Sequence, residues 1–172
     1  LVDQDMRKDE EMTTPEKTAH QFAADGATDP AAPARARGAV DVAAPPEAVW
    51  DALASVENWP AFRDDVTTAA TDGPAAPGRA FTWRASSLMV TSRFAIVERP
   101  TRLTWSNAAP GMTSSCVYEF HRTEDGRTRI RGEESMDASG IAPHIDDAFL
   151  EAGIGSWLDG IKAFVERERT WR

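Results

Sequence analysis

The sequence predicts an α+β domain in which a curved antiparallel sheet wraps around a long C-terminal helix. Two observations predict it: from about Phe81 to Glu134 apolar side chains recur at every second position, and after Gly140 they recur at helical spacing. A sheet with one apolar face and a helix with one apolar stripe can only bury those surfaces against each other.

A chain of 172 residues suffices for one domain with its own core and a remainder. From Leu1 to about Arg35 the composition is acidic and then Ala/Pro-rich, with Phe22 nearly alone among large apolar residues. Such a stretch buries too little surface to offset its ordering entropy. Residues 1–35 are therefore expected to be a disordered or weakly structured tail, with a short helix over Pro15 to Ala24, and residues 36–172 to be the domain.

The domain opens on a strand, where Arg37, Ala39 and Asp41 alternate with Gly38, Val40 and Val42. Pro45-Pro46 ends it and starts a helix, because proline suits the first helical turn. Val49, Trp50 and Leu53 give that helix its apolar stripe. Asn58-Trp59-Pro60 interrupts it, since the residue before a proline is pushed out of helical geometry. A second short helix is expected over Ala61 to Asp64 and a strand over Val66 to Thr71.

Strict alternation follows. One face collects Phe81, Trp83 and Ala85; Val90, Ser92, Phe94 and Ile96; Leu103, Trp105 and Asn107; Cys116, Tyr118 and Phe120; and Thr128, Ile130, Gly132 and Glu134. The other carries Arg84, Arg93, Thr104, Glu119, His121, Arg129 and Arg131, so one side should be wet and the other dry. Turn residues at Ser86-Ser87, Arg99-Pro100-Thr101, Ala109-Pro110-Gly111 and Asp125-Gly126 make the set a meander. The last element, a helix from about Pro143 to Glu168, presents Leu150, Ile154, Trp157, Leu158, Ile161, Phe164 and Val165 on one stripe. Gly153, Gly155 and Gly160 interrupt it, so either the sheet approaches closely there or space is left for something else.

The formal net charge is −9, with arginines interleaved among Asp and Glu, which argues against nucleic acid and against anionic membranes as partners. No apolar run reaches the roughly 20 residues needed to cross a bilayer, and the acidic first residues do not resemble a signal peptide. A single cysteine, Cys116, agrees with a reducing compartment. The expectation is a cytoplasmic monomer or weak homodimer without membrane insertion.

Several local motifs resemble one superfamily. They are Val42-Ala43-Ala44-Pro45-Pro46-Glu47-Ala48-Val49-Trp50 with Asn58-Trp59-Pro60, Pro77-Gly78-Arg79-Ala80-Phe81-Thr82-Trp83, and Glu98-Arg99-Pro100-Thr101-Arg102-Leu103-Thr104-Trp105. Tyr118-Glu119-Phe120, Asp125-Gly126-Arg127-Thr128-Arg129 and Glu134-Ser135 complete the set. These residues resemble the SRPBCC or START-like superfamily, which includes the polyketide cyclase/dehydrase and lipid-transport family. The resemblance implies a helix-grip fold: seven strands, two small helices after the first strand, and a ligand cavity under the last helix. Its motifs specify the cup and not the contents.

The dry-face aromatics Phe81, Trp83, Phe94, Trp105, Tyr118 and Phe120, facing Ile154, Trp157, Leu158 and Ile161, either wall an apolar pocket or simply pack a core. Ser92, Asn107, Tyr118 and Glu134 share that face, where an unpaired polar group is costly, so each is a candidate to bind a ligand carbonyl or hydroxyl. Glu134 would suit proton transfer if buried; the blander alternative places it at the strand's end, near solvent or paired with an arginine. His144 would serve as acid or base if it sat at the pocket mouth, though a histidine ahead of a helix is more often just solvated. No spacing of His, Cys or carboxylates suits a metal, and no glycine-rich stretch suits a nucleotide phosphate, so neither metal nor cofactor is expected. Lys162, the only lysine of the domain, falls outside the apolar stripe, which disfavours Schiff-base chemistry; Cys116 reads as a small buried hydrophobe. The first functional expectation is binding of a small hydrophobic polyketide-, lipid- or isoprenoid-like molecule. The alternatives are a cyclase or aromatase using the same cavity through Tyr118, Glu134 or His144, and a protein-interaction module.

Overall fold

The computed structural model describes residues 16–169, so the first half of the expected tail lies outside the described residues. The elements are α1 (Ala19–Ala24), β1 (Ala34–Val42), α2 (Pro46–Ala54), a 3-10 helix (Val56–Ala61), β2 (Val66–Thr71), β3 (Ala80–Ala85), β4 (Leu88–Glu98), β5 (Arg102–Ala109), β6 (Met112–Arg122), β7 (Thr128–Asp137) and α3 (Asp147–Arg169). Strands β2 to β7 form an antiparallel meander, and β1 returns to pair with β7, giving seven strands in the order β1-β7-β6-β5-β4-β3-β2. The curved sheet holds α3 in its concave face, the α+β helix-grip arrangement expected.

Three local readings are corrected. Asn58-Trp59-Pro60 does not interrupt helical structure: it lies inside the 3-10 helix, and the helix expected over Ala61 to Asp64 is displaced to Val56–Ala61. Trp59 is 1% exposed and donates its indole N–H to the Leu53 carbonyl at 2.9 Å, which ties this turn to α2. α3 begins at Asp147 and not near Pro143, because the Asp146 carboxylate accepts from the Phe149 N–H at 2.9 Å and caps the helix there. Ile96 leaves the inner face, because the β4–β5 register shifts between Phe94 and Val97; Val97 packs into the core and Ile96 turns outward toward Gly26.

The outer face is not wholly wet, and residues 18–33 are not a loose tail. Thr18 and Gln21 form a capping box at the start of α1, with Gln21 N to Thr18 Oγ1 at 3.2 Å and Thr18 N to Gln21 Oε1 at 2.7 Å. Beyond it the chain runs over the outer face, where sheet hydroxyls hold its backbone. Thr104 donates to the Ala23 carbonyl at 2.7 Å, Ser115 to the Ala27 carbonyl at 3.0 Å, and Ser135 accepts from Asp29 N at 2.9 Å. Ala23 and Thr104 are fully enclosed as a result. Composition understates such a segment because hydrogen bonds, and not apolar area, order it.

The glycines of α3 serve different purposes. At Gly160 a Cβ would fall 1.8 Å from the Phe62 carbonyl oxygen, so it is the turn after the 3-10 helix, not the sheet, that crosses α3 there. At Gly155 a Cβ would meet nothing within 4 Å.

Gly160→Ala is therefore expected to destabilise the protein by about 2 kcal/mol or more through overpacking, whereas Gly155→Ala should stabilise it by up to about 1 kcal/mol; urea denaturation of the two variants checks the contrast. Thr104→Val should cost about 1 kcal/mol and raise amide hydrogen exchange selectively in residues 19–29.

Candidate functional site

The concave face divides into two ends. At one, the C-terminal half of α3 meets a closed core: Leu158, Ile161 and Val165 pack with Val42, Phe94, Leu103, Phe120 and Ile130. At the other, where the β3–β4 and β5–β6 hairpins turn and α3 begins, the packing leaves a cavity of about 160 Å3. Trp59 separates the two ends, with its ring centroid 5.2 Å from Phe81, 5.4 Å from Trp83, 5.4 Å from Trp105 and 4.9 Å from Trp157.

Seven of the expected residues line the cavity: Trp83, Trp105, Asn107, Tyr118, Glu134, Ile154 and Trp157. Others do not reach it. Phe81 and Phe94 stack on each other at 4.5 Å on the far side of Trp59, and Phe120, Leu158 and Ile161 belong to the closed end. Ser92 is buried behind the lining residues. His144 is exposed in the turns ahead of α3 and does not line the cavity, since the helix starts later than expected. Residues outside the expected ligand contacts also line it, among them Trp59, Arg63, Met112, Cys116, Met136, Leu150 and Gly153. A signal was present for three of them: Cys116 falls on the dry face, Leu150 on the stripe of α3, and Gly153 interrupts α3 where a Cβ would come within 3.9 Å of the Arg63 guanidinium.

The polar residues of the inner face satisfy one another in a row across five strands, β3 to β7. Trp83 Nε1 donates to Ser92 Oγ at 2.9 Å and Ser92 Oγ to Asn107 Oδ1 at 2.6 Å. Asn107 Nδ2 donates to Ser114 Oγ at 2.7 Å and to Cys116 Sγ at 3.5 Å, and the Cys116 thiol completes the row at Glu134. Register builds it: Ser92 pairs with Asn107, Asn107 with Ser114, and Cys116 with Glu134. Tyr118 lies beside the row, stacked on Trp105 at 5.1 Å and 9°. Its ring crosses β7 at Gly132, where a Cβ would fall 2.7 Å from Tyr118 Cε1.

Glu134 is enclosed by protein, and the surface it keeps opens into the cavity. Burial raises its pKa to about 7, against smaller opposing effects of the Cys116 hydrogen bond and the Arg63 charge. Burial likewise pushes the Cys116 thiol and the Tyr118 phenol well above their ordinary values, with Glu134 adding to both. Arg63 forms a two-point pair with Asp65, at 2.5 and 2.8 Å, and its Cζ stands 6.0 Å from the Trp157 ring centre. Trp105 and Trp157 bury indole N–H groups without a partner among the described residues, and neither nitrogen has surface that a guest could touch. Lys162 is spent elsewhere, on the Asp41 carbonyl and Glu166. Among the described residues no cluster of His, Cys, Asp or Glu could hold a metal, and no helix is long and apolar enough to cross a membrane.

Residues 33–166 match the family described as polyketide cyclase / dehydrase and lipid transport. The chain belongs to that family. No curated protein matches it in sequence. Solved structures share the fold of this polyketide cyclase/dehydrase-type chain. A hypothetical protein from Helicobacter pylori is 17% identical with a TM-score of 0.69, over 90% of this chain and 99% of that one. The Zhui aromatase/cyclase from Streptomyces sp. R1128 is 16% identical with a TM-score of 0.64, over 77% of this chain and 93% of that one. The di-domain aromatase/cyclase StfQ from the steffimycin biosynthetic pathway is 22% identical with a TM-score of 0.60; the match covers 78% of this chain and 45% of that longer one.

Glu134 makes stability depend on pH. Its carboxyl has an ordinary pKa of 4.5 when unfolded and about 7 when folded, so between those values the unfolded chain releases a proton that the folded one keeps. Stability is expected to be highest below about pH 4.5 with respect to this group, to fall by at most about 3 kcal/mol as pH rises to about 7, and then to level off. Denaturant titrations of wild type and Glu134→Gln across that range should show the slope in the first and not in the second.

Proposed function

We propose that the protein binds a small, mostly apolar molecule in the cavity between the sheet and the N-terminal half of α3. The cavity carries this reading: about 160 Å3, walled by Trp59, Trp83, Trp105, Trp157, Leu150 and Ile154, with Glu134, Tyr118, Asn107 and Arg63 as its main polar groups. Apolar walls around a few convergent polar groups are what small-ligand sites share. The volume limits the guest. An enclosed apolar cavity of about 150 Å3 holds benzene, whereas drug-sized ligands need about 300 Å3 or more. The body of the ligand is thus one ring or a chain of similar bulk. Larger hollows exist on the surface, such as the groove of about 770 Å3 between α2 and α3, but that groove is open to solvent and edged by Glu47, Asp51 and Glu168. Family membership supports the reading in its general form, and a cytoplasmic protein acting as monomer or weak homodimer is consistent with it.

One observation favours a second reading, in which the same cavity performs cyclase or dehydratase chemistry. Glu134, with a pKa of about 7, and Tyr118 line the same cavity, close enough for the carboxylate charge to raise the phenol's pKa. The ionised carboxylate would accept a proton from a substrate carbon next to a carbonyl, while Tyr118 donates a hydrogen bond to the oxygen where charge gathers. Activity of this kind would rise with pH through about 7.

Toluene is expected to bind wild type, detected by saturation-transfer NMR. Leu150→Trp, which fills the cavity, should abolish that signal while leaving the circular dichroism spectrum unchanged. Undiminished transfer in a folded Leu150→Trp variant would contradict the binding reading.

A further inference from the structure

The charged groups on the cavity wall are Arg63 and Glu134, and they are not in the same condition. Arg63 already has its counter-ion, since two of its N–H groups are given to Asp65. Glu134 has no ion pair among the described residues, and its one protein hydrogen bond comes from a thiol, a weak donor. A carboxylate offers about four lone-pair sites, so the cavity side of Glu134 is left to a guest.

Direction matters as well. From Trp83 through Ser92, Asn107 and Cys116, each hydrogen bond is donated toward Glu134, so the row ends on an acceptor. A guest that needs a donor finds Asn107 with both amide hydrogens already given, to Ser114 and Cys116, and is left with the Tyr118 hydroxyl and the N–H groups of Arg63 that do not go to Asp65. An anionic guest would be confined with Glu134 in a space of single-ring size. A cation meets the opposite circumstance, because aromatic faces attract positive charge and five of the lining residues are Trp59, Trp83, Trp105, Tyr118 and Trp157.

We propose that the ligand of this cavity is a small aromatic molecule bearing a protonated amine, with its ring among the tryptophans and its ammonium on Glu134. The inference takes the binding reading as given and names the ligand's chemistry. It carries a pH signature. The groups facing Glu134 are Arg63, with Asp65 behind it, and Cys116 and Tyr118; α3 contributes Phe149, Leu150, Gly153, Ile154 and Trp157, none charged. Burial holds the thiol and phenol neutral near pH 7, so over that range the carboxyl is the group that changes charge.

Four probes with one ring test it by isothermal titration calorimetry: benzylamine, benzyl alcohol, toluene and benzoate. Benzylamine is expected to bind at least roughly tenfold more tightly than the other three at about pH 8, and to strengthen as pH rises from about 6 to about 8. In Glu134→Gln that advantage should vanish while toluene still binds. Should the variant not fold, the pH series on wild type decides, and a flat or falling benzylamine affinity overturns the proposal. Benzyl alcohol or toluene binding as tightly as benzylamine overturns the amine alone and leaves the binding reading standing. Failure of all four to bind overturns both.

Discussion

An α-helix with its side chains is about 10–12 Å across, whereas seven strands spaced about 4.8 Å apart span roughly 29 Å. One helix cannot cover the concave face of such a sheet, and the uncovered part must be filled by other elements or left hollow. Here the two outcomes are split between the ends. Toward the C-terminus of α3, α2 and the 3-10 helix close the gap, with Trp59 and Phe62 reaching in against Trp157. Toward its N-terminus nothing corresponding arrives, and the cavity is what remains.

Burying that face sets the terms for its polar groups. An unpaired hydroxyl or amide there would cost a few kcal/mol, and the row from Trp83 to Glu134 avoids the cost by making each side chain the partner of the next. Glu134 is the row's carboxyl and faces the hollow with Trp83, Asn107 and Cys116, and burial raises its pKa to about 7. The same residue therefore links the stability of the fold to the chemistry of the cavity. The surface at this end is apolar too: Phe149, 57% exposed, lines the cavity at the start of α3, the exposed Ile141 lies in the turns before it, and the exposed Met89 is the second residue of β4.

Alternation and helical spacing were enough to read the architecture, because side-chain period is a property of each segment taken alone. They placed Trp83, Trp105, Tyr118 and Glu134 on the inner face correctly. What failed was whatever depends on how segments meet. Ile96 turned outward because of a register shift that no period reveals. Ser92 and Asn107 read as separate ligand-binding candidates, and only pairing shows them to be partners of each other. Phe94, Phe120, Leu158 and Ile161 are as apolar as the true lining residues, and their distance from the cavity follows from where the 3-10 helix inserts. Arg63 comes from a connecting segment with no period, and residues 18–33 are held by hydroxyl-to-carbonyl bonds that composition does not register.

A space under the first half of α3 that accepts an apolar guest is the claim on which the functional reading stands. Crystals held under xenon pressure test it most directly, because xenon enters apolar cavities of this size without needing any particular polar contact. A xenon atom between Trp105, Tyr118 and Ile154 is the expected result. Side chains filling that volume, with no xenon among them, would contradict it.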